Sequence, residues 1–267
     1  MQLYILKLGG SVITDKKSNK LIVKKRKLEK IASVISKVIK KKKFKLIIVH
    51  GAGPFGHKIV TDYKIKNGVK TQKQVKGFVK TRNSMETLDK IVVETLLSKN
   101  VNAFEVQASS CIIQNRKKIT KFDITIIEKL LAMNTVPVMY GDMVIDNSLG
   151  ASVVSGDAII SYLAKKLNAK KIFFGTDVKG IYDSNPKKNK KAKLIEKINN
   201  SNIKEILKKT SHSSSVDVTR GMKGKLLEIK QNIKGKQIYV FNLNKEKNLE
   251  LLLNSKKIEC TKIYFKK

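Results

Sequence analysis

The sequence predicts an α/β protein in which helices cover a largely parallel sheet. Two observations support this class: short apolar runs alternate with segments of helical periodicity, and glycine-bearing turns follow several of the runs. At 267 residues the chain is long enough for one large domain with an ample core. We therefore predict a single domain whose two lobes, about 1–168 and 169–267, share the sheet.

Apolar spacing places the elements of the N-terminal half. Strands are predicted at 4–8, 46–49, 101–107, 112–114 and 136–140, and a helix is expected just after the glycine-rich segment 50–57. Helical spacing joins two further sets of apolar residues: Leu28, Ile31, Ile35 and Val38, and later Met85, Leu88, Val92 and Leu96. Each set predicts a long helix with one buried face.

The C-terminal half follows the same alternation. The sequence predicts a helix with Ile159, Leu163 and Leu167 on its inner face, strands at 172–174, 238–241 and 258–265, and a helix near 249–253. A polar, lysine-rich stretch at 183–193 has no periodicity and is interpreted as a mobile loop. His212 lies among serines at 211–215 and is interpreted as an exposed loop residue rather than a catalyst.

The net charge of +36 raises the possibility of nucleic-acid binding. The basic residues are spread along the whole chain, and four of the 57 are arginine: Arg26, Arg82, Arg116 and Arg220. Specific base recognition favours arginine, and no aromatic stacking platform is evident. We expect a solvated lysine surface with incidental binding of polyanions and no specific nucleic-acid partner, although a basic nucleic-acid-binding protein remains the alternative from another functional class.

The sequence indicates a cytoplasmic protein. It contains no run of 18 apolar residues, and the N-terminus enters a strand directly, so neither a membrane span nor a secretion signal is expected. Cys111 and Cys260 lie far apart in apolar stretches. Their spacing favours core packing over a disulfide or a zinc site, as in a reduced compartment.

The segment HGAGPFGH at residues 50–57 resembles a phosphate-binding turn. It follows an apolar strand and contains three glycines. Glycine lets backbone N–H groups approach an anion, and the start of the next helix adds its positive dipole end. His57 supplies a side-chain donor. A single glycine turn of this kind is more often a simple connection.

Three further segments strengthen the phosphate interpretation. Lys7 interrupts an apolar strand that ends in Gly9, Gly10 and Ser11, and a buried ammonium is costly unless it meets an anion. The alternative is a lysine that extends to solvent at the strand end. Residues 155–157 (SGD) open one patterned helix, and residues 217–225 (DVTRGMKGK) open another.

Together these motifs resemble the amino acid kinase superfamily and, within it, the isopentenyl phosphate kinases. They occur in family order: KLGGS at 7–11, HGAGPFGH at 50–57, YGD at 140–142, SGDAI at 155–159, GTDVKGIYDSNP at 175–186 and DVTRGMKGK at 217–225. The narrower signal is the pair Gly56 and His57, because relatives that phosphorylate carboxylates lack this histidine.

The resemblance implies an amino acid kinase fold, a three-layer αβα sandwich with a largely parallel central sheet. It also implies transfer of the γ-phosphoryl group of ATP to isopentenyl phosphate, with Mg²⁺, in an alternative mevalonate pathway. The N-terminal lobe would bind the acceptor and the C-terminal lobe the nucleotide, with the loop at 183–193 covering the nucleotide. A homodimer is expected, because the family usually forms dimers.

The resemblance assigns roles to individual residues. Lys7 and Lys225 would contact ATP phosphates, Lys16 would stabilise the transferring group, and Asp157 would hold the lysines in position. The alternatives are a helix N-cap for Asp157 and membership of an exposed lysine run for Lys16. The remaining nucleotide-binding candidates are Gly9, Gly10, Ser11, Gly53, Thr176, Asp177, Gly180 and Gly221, and the acceptor-binding candidates are Ala52, Gly53, Gly56, His57 and Gly156.

His57 carries the argument for the acceptor. A phosphate monoester already presents its nucleophilic oxygen, so it needs a donor that fixes its phosphate rather than a strong base. The apolar tail of the acceptor would need a pocket, for which segment 78–107 offers bulky side chains, although such a stripe is more often ordinary core. These side chains are Phe78, Met85, Leu88, Val92 and Phe104.

Three residues depart from the family pattern: Ala52, Pro54 and Arg220 replace glycine or small residues. Ala52 keeps its N–H and is compatible with a negative φ, whereas Pro54 has no N–H to donate. Arg220 either reaches ATP phosphates or faces solvent. The enzymatic alternatives are a fosfomycin-type kinase and a uridylate kinase, and for the latter no base-reading group is evident.

Overall fold

The computed structural model describes residues 1–15, 21–209 and 221–266. Within these ranges the strands are β1 (Gln2–Leu8), β2 (Phe44–His50), β3 (Ala103–Glu105), β4 (Ile112–Asn115), β5 (Lys118–Phe122), β6 (Val136–Tyr140), β7 (Asp142–Asp146), β8 (Gly150–Val154), β9 (Lys171–Thr176), β10 (Lys197–Ile198), β11 (Gln237–Asn242) and β12 (Thr261–Ile263). The helices are α1 (Gly10–Ile13), α2 (Lys25–Lys41), α3 (Pro54–Asp62), α4 (Gln72–Ser98), α5 (Ala108–Cys111), α6 (Thr125–Ala132), α7 (Gly156–Lys166), α8 (Ile203–Lys209), α9 (Gly221–Asn232) and α10 (Glu246–Leu253).

The central sheet has eight strands in the order β10-β12-β11-β9-β1-β2-β6-β3. The pairings from β11 through β3 are all parallel, while β12 is antiparallel to β11 and parallel to β10. Because parallel strands need crossover connections, helices cover both faces of this sheet. The predicted α/β class and largely parallel sheet are confirmed.

Two hydrophobic clusters occupy the two sides of the sheet, as a three-layer sandwich requires. Along β1, Leu3 and Ile5 pack in the cluster that includes α6, α7 and α9, whereas Tyr4, Leu6 and Leu8 pack in the cluster that includes α2, α4 and α10. This division follows from the two-residue period of a strand. The predicted buried faces of α2 and α4 lie in the second cluster.

A second sheet of four strands, in the order β5-β4-β7-β8, was not predicted as a unit. Its pairings are antiparallel except for β4 with β7. Some of its strands are short and have polar faces, and β5 reads KITKF, so their apolar signal is weak. The β7–β8 hairpin brings Asp142 opposite Val154, beside the start of α7.

Other differences from the predicted elements are local. The strand expected at 101–107 is limited to β3, and the strand expected at 258–265 is limited to β12. Both cysteines are free; Cys260 is buried, and Cys111 is half-buried with its thiol pKa raised to about 11 by burial. None of the helices in the described ranges combines the length and apolar character that crossing a bilayer requires.

Candidate active site

Lys7 points to the same side of the sheet as Leu3 and Ile5, because it continues their alternation along β1. This direction leads to the start of α7, where the Lys7 ammonium forms an ion pair with Asp157 Oδ1. The two side chains are only 13% and 14% exposed. Because solvent reaches so little of the pair, the charges of Lys7 and Asp157 are compensated mainly by each other. This agrees with the expectation that a buried ammonium meets an anion.

Asp157 is the second residue of α7, and the residue before the helix acts as its cap. The Ser155 hydroxyl accepts a hydrogen bond from Ala158 N at 3.1 Å. The N-cap alternative for Asp157 is therefore wrong. Asp157 remains in the first turn, where a carboxylate is favoured by the helix dipole, and its partner is Lys7.

The loops after β1 and β2 touch each other through their backbones. A Cβ on Gly10 would lie 2.5 Å from Gly53 N, so only glycine fits between the two loops. Gly53 itself has φ +53°, in the left-handed region that favours glycine. The two glycine-rich motifs of the sequence thus form one surface at the carboxyl end of the parallel strands, where α/β proteins bind ligands.

The loop after β9 joins the same surface. Gly9 N donates to Gly175 O at 3.0 Å, so this N–H stabilises the protein and is not offered to a phosphate as the sequence suggested. On the other side, Gly141 packs against Gly156, where an added Cβ would lie 3.0 Å from Gly156 N. Five chain segments therefore converge around the carboxyl ends of β1 and β2: the loops after β1, β2 and β9, the segment of Gly141 and the start of α7.

Helix α3 begins directly on this surface. Gly53 is its N-cap and Pro54 its first residue, a position where proline is favoured because no N–H is required. Gly56 is enclosed, since an added Cβ would lie 2.7 Å from Ala52 Cβ. His57 follows in the first turn, half-buried, and its N–H donates to Gly53 O at 3.2 Å.

Ala52 and Pro54, the two residues of this loop that depart from the family pattern, are compatible with the fold. Ala52 does not adopt a positive φ, so the alanine is accommodated without backbone strain. The N–H groups left at the start of α3 are those of Phe55 and Gly56, and they point along the helix axis toward the loop surface. The arrangement suits a bound anion near His57.

The residues of the motif after β9, which the resemblance assigns to nucleotide binding, make contacts within the protein. The Thr176 hydroxyl donates to Val178 O at 2.8 Å, and Asp177 pairs with Lys187 from the lysine-rich loop. Gly180 lies against Thr261, where an added Cβ would be 2.4 Å from the hydroxyl. Packing against Thr261 therefore requires a glycine here, and its role in nucleotide binding stays a prediction.

The predicted site residue Lys16 is outside the described part of the chain, and the side chain of Lys225 on α9 is not described either. His212, interpreted as an exposed loop residue, and Arg220, whose contact the sequence left open, are also outside the described residues. The backbone of α9 begins at Gly221. Glu228 on this helix lies close enough to Asp157 for the Asp157 charge to contribute to raising the Glu228 pKa, after the larger effect of burial. Helix α9 therefore reaches the site from the same side as α7.

The proposed tail-pocket residues do not form one set. Leu88 and Val92 are fully buried in the core beneath the sheet, and Met85 also contacts Gly56. Phe104 lies on the edge strand β3 and is 51% exposed. Phe78 packs in a small third cluster with Met143. Core packing, the alternative that the sequence left open, accounts for Leu88 and Val92.

A buried polar pair that the sequence did not predict lies beside the site. His50 and Asp89 are both fully buried and are joined by a hydrogen bond from Nε2 to Oδ1 of 2.9 Å. Nearby, burial raises the Asp142 pKa to about 6. The signal available in the sequence was an aspartate within the apolar stripe of α4, which is costly to bury unpaired.

This arrangement can bind phosphate groups through a lysine, glycine-loop amides, a helix N-terminus and a histidine. Phosphoryl transfer needs mainly such positioning and positive charge, with little covalent participation by the protein. Among the described residues, no group of three or more His, Cys, Asp or Glu side chains is placed to hold a metal ion.

Comparison with known proteins agrees with this geometry. Residues 2–242 match the family model described as amino acid kinase family. The chain is 39% identical to the isopentenyl phosphate kinase of Methanocaldococcus jannaschii, over 98% of this chain and 99% of that protein. It is 36% identical to the isopentenyl phosphate kinase of Methanothermobacter thermautotrophicus, over 97% and 98%. A solved isopentenyl phosphate kinase structure superposes with a TM-score of 0.84 at 34% identity, covering 98% of this chain and 99% of the other.

Proposed function

The chain belongs to the amino acid kinase family and, within it, to the isopentenyl phosphate kinases, and we propose that it transfers the γ-phosphoryl group of ATP to isopentenyl phosphate. The products are isopentenyl diphosphate and ADP. The observation that carries the proposal is the contact between the loop after β1, the strand of Lys7, and the loop after β2, which leads into the helix of His57.

On the nucleotide side, Lys7 is proposed to neutralise charge on the transferring phosphate. Its pairing with Asp157 fixes the ammonium before substrate binds, so less ordering is left to occur during the reaction. Gly10 and Ser11 would present backbone N–H groups, while Thr176 and Asp177 would border the nucleotide. Lys16, Gly221 and Lys225 retain the roles that the resemblance implies.

On the acceptor side, His57 and the N-terminus of α3 are proposed to hold the phosphate monoester. Gly53, Gly56 and Gly156 would border it, and Ala52 shapes the loop. Two polyanions must meet in line during transfer, so donors on both sides of the reacting oxygen reduce their repulsion. The acceptor oxygen needs no proton removed at neutral pH.

Magnesium is proposed to enter as the complex with ATP. Mg²⁺ in kinase sites is commonly bound by substrate phosphates together with one or two carboxylates, so a dedicated protein cage is unnecessary. Its contribution would be to neutralise charge on the phosphate oxygens. Asp157 and Asp177 are the carboxylates that we propose would assist.

The lobe roles and the assembly are also proposals. We infer that residues 1–168 bind the acceptor and residues 169–267 bind the nucleotide. We also infer a homodimer through the β3 edge of the sheet, because an exposed Phe104 on an edge strand favours pairing. Light scattering of the purified protein and of a Phe104→Glu variant would test this, with a monomeric wild type contradicting it. A cytoplasmic location and a place in an alternative mevalonate pathway stay predictions.

The test of the function is a direct comparison of acceptors. ADP release is measured with ATP and isopentenyl phosphate, uridine monophosphate or fosfomycin, and the product is identified by ³¹P NMR. We expect kcat/KM to be far higher for isopentenyl phosphate, because Gly56 and His57 suit a compact phosphate monoester and the sequence motifs include none that would read a pyrimidine base. Comparable efficiency with either of the other acceptors would contradict the proposed specificity.

A further inference from the structure

The buried pair of His50 and Asp89 has no role in the proposed chemistry. His50 Nε2 donates to Asp89 Oδ1 at 2.9 Å, and both side chains are 0% exposed. The two residues are 39 positions apart in the chain, so the bond joins separate elements, the end of β2 and the middle of α4. Burying such groups is costly, and removing one partner leaves the other uncompensated.

The pair lies at the beginning of the acceptor loop. His50 is the last residue of β2, and the next residue, Gly51, donates its N–H to Leu8 O at 2.9 Å. The carbonyl of His50 accepts a hydrogen bond from Gly141 N at 3.3 Å. The position of His50 therefore affects the start of the loop and its contacts with the strands on both sides.

One helical turn before Asp89, α4 also contacts the other end of the same loop. Met85 Sδ lies 3.3 Å from the place where a Cβ on Gly56 would stand. Asp89 follows Met85 by four residues, so both side chains are on one face of the helix. The segment from His50 to Gly56 is thus held at both ends by a single rigid element, and His57 comes directly after it.

The ring of His50 has little freedom to move. It stacks on the Tyr140 ring, with centroids 5.3 Å apart and an angle of 25° between the planes. Within the described part of the chain, Asp89 Oδ2 and the Tyr140 hydroxyl are buried without a hydrogen-bond partner. The bond from Nε2 to Oδ1 is therefore the main polar contact that fixes the register of α4 against β2.

We propose that His50 and Asp89 are positioning residues that set the acceptor loop, and with it His57, relative to Lys7. The inference rests on the proposed role of His57 in acceptor binding. Phosphoryl transfer depends on in-line alignment, and small displacements of a positioning group cause large losses of rate. The pair would act on the acceptor half of the reaction and leave the nucleotide half largely unaffected.

The test uses the variants His50→Leu and Asp89→Leu and the double variant. Each single change leaves one buried polar partner unpaired, so both lower Tm. The double variant removes both groups, and apolar replacement of a buried pair is often neutral or stabilising, so its Tm recovers. We expect its acceptor kcat/KM to remain reduced by roughly 10- to 100-fold, while the KM for ATP changes less than about twofold. Recovery of acceptor kinetics together with Tm would overturn the proposal.

A conservative variant and a matched control keep the test informative if the double variant does not fold. Asp89→Asn retains an oxygen acceptor for His50 Nε2 and is expected to keep most of the acceptor kcat/KM that Asp89→Leu loses. Leu96→Ala, buried two turns further along α4, should lower Tm without changing the acceptor KM. Equal kinetic losses in Asp89→Asn and Asp89→Leu, or an acceptor defect in Leu96→Ala, would mean that the pair is only structural.

The wild type is assayed first, so that a failure of the proposed function is recognised separately. If it does not phosphorylate isopentenyl phosphate, the proposed function is wrong, and the same variants are compared on the acceptor that it does use. A selective loss on that acceptor in the double variant would still support the positioning role, and no selective loss would refute it.

Discussion

At the scale of the residue, the direction of a side chain decides what a charged group can do. Lys7 belongs to the strand face that packs against α7, and this face leads its ammonium to Asp157. A shift of one residue in β1 would turn the lysine to the opposite side of the sheet, toward α2 and α4. The chemistry of the site therefore depends on strand alternation as much as on residue type.

His57→Ala is expected to reduce acceptor kcat/KM without unfolding the protein. The side chain is half-buried in the first turn of α3, and its truncation does not open a core cavity. A hydrogen bond to a charged group is worth about 1.5–3 kcal/mol, which corresponds to a loss of roughly 10- to 100-fold. Steady-state kinetics and thermal melting measure the two effects.

The comparison variants for His57 separate its donor from its charge. His57→Gln should retain part of the activity because its amide can donate, and Lys58→Ala, on the exposed neighbouring residue, should behave as wild type. An alanine variant at position 57 that keeps full kcat/KM for isopentenyl phosphate would make the histidine a bystander.

Asp142 should make the free energy of unfolding depend on pH. Burial raises its pKa to about 6, so the folded protein holds a proton that the unfolded chain releases near pH 4. The contribution of Asp142 to the free energy of unfolding therefore falls as pH rises from about 4 through about 6. The decrease is about 2 kcal/mol between pH 4 and pH 8. Asp142→Asn should remove that part of the pH dependence, as measured by urea unfolding at both pH values. Identical pH dependence in the two proteins would contradict the assignment.

At the scale of the element, the site is built from the ends of strands and the beginnings of helices. The loops after β1, β2 and β9 meet because their strands are neighbours in a parallel sheet, and the start of α7, which follows β8 of the second sheet, joins them. Glycines at the contact points allow backbone to touch backbone. The geometry of each loop is therefore fixed by another loop, rather than by its own sequence alone.

Gly10→Ala should separate the loops after β1 and β2. The new Cβ would lie 2.5 Å from Gly53 N, a distance that forces the backbones apart. We expect kcat to fall at least roughly 100-fold, since phosphoryl transfer depends on alignment to within about 1 Å. The control is Gly150→Ala at the turn of the β7–β8 hairpin, where the overlap with Val69 O is also 2.5 Å. Both variants should lose stability, and comparable kinetic losses in the two would argue against a specific role for the loop contact.

At the scale of the whole molecule, the chain carries a net charge of +36 on a kinase fold, and its lysines are spread along the whole sequence. Ion pairs among the described residues involve few of the lysines, for example Lys27 with Glu246 and Lys37 with Glu250, both between α2 and α10. Such a surface attracts polyanions without distinguishing them.

Binding of DNA or RNA is therefore expected to be independent of sequence and strongly dependent on salt. Each lysine–phosphate contact releases counterions, so affinity should fall steeply between 50 mM and 200 mM salt. Fluorescence anisotropy measures the affinity for two unrelated duplexes and one single strand at each salt concentration. Tight, sequence-selective binding at physiological salt would show that the charge has a specific partner.

The sequence by itself determined the α/β class, the main helices and strands of the large sheet, and the motifs whose order resembles the kinases. These features are encoded locally, in apolar periodicity and in glycines that follow strands. Only the tertiary structure decided that Gly9 donates within the protein, that Ser155 rather than Asp157 caps α7, and that His50 pairs with Asp89. Each of these results depends on which groups meet across the fold, and the four-stranded sheet was missed because its short strands are defined by their partners more than by their own apolar content.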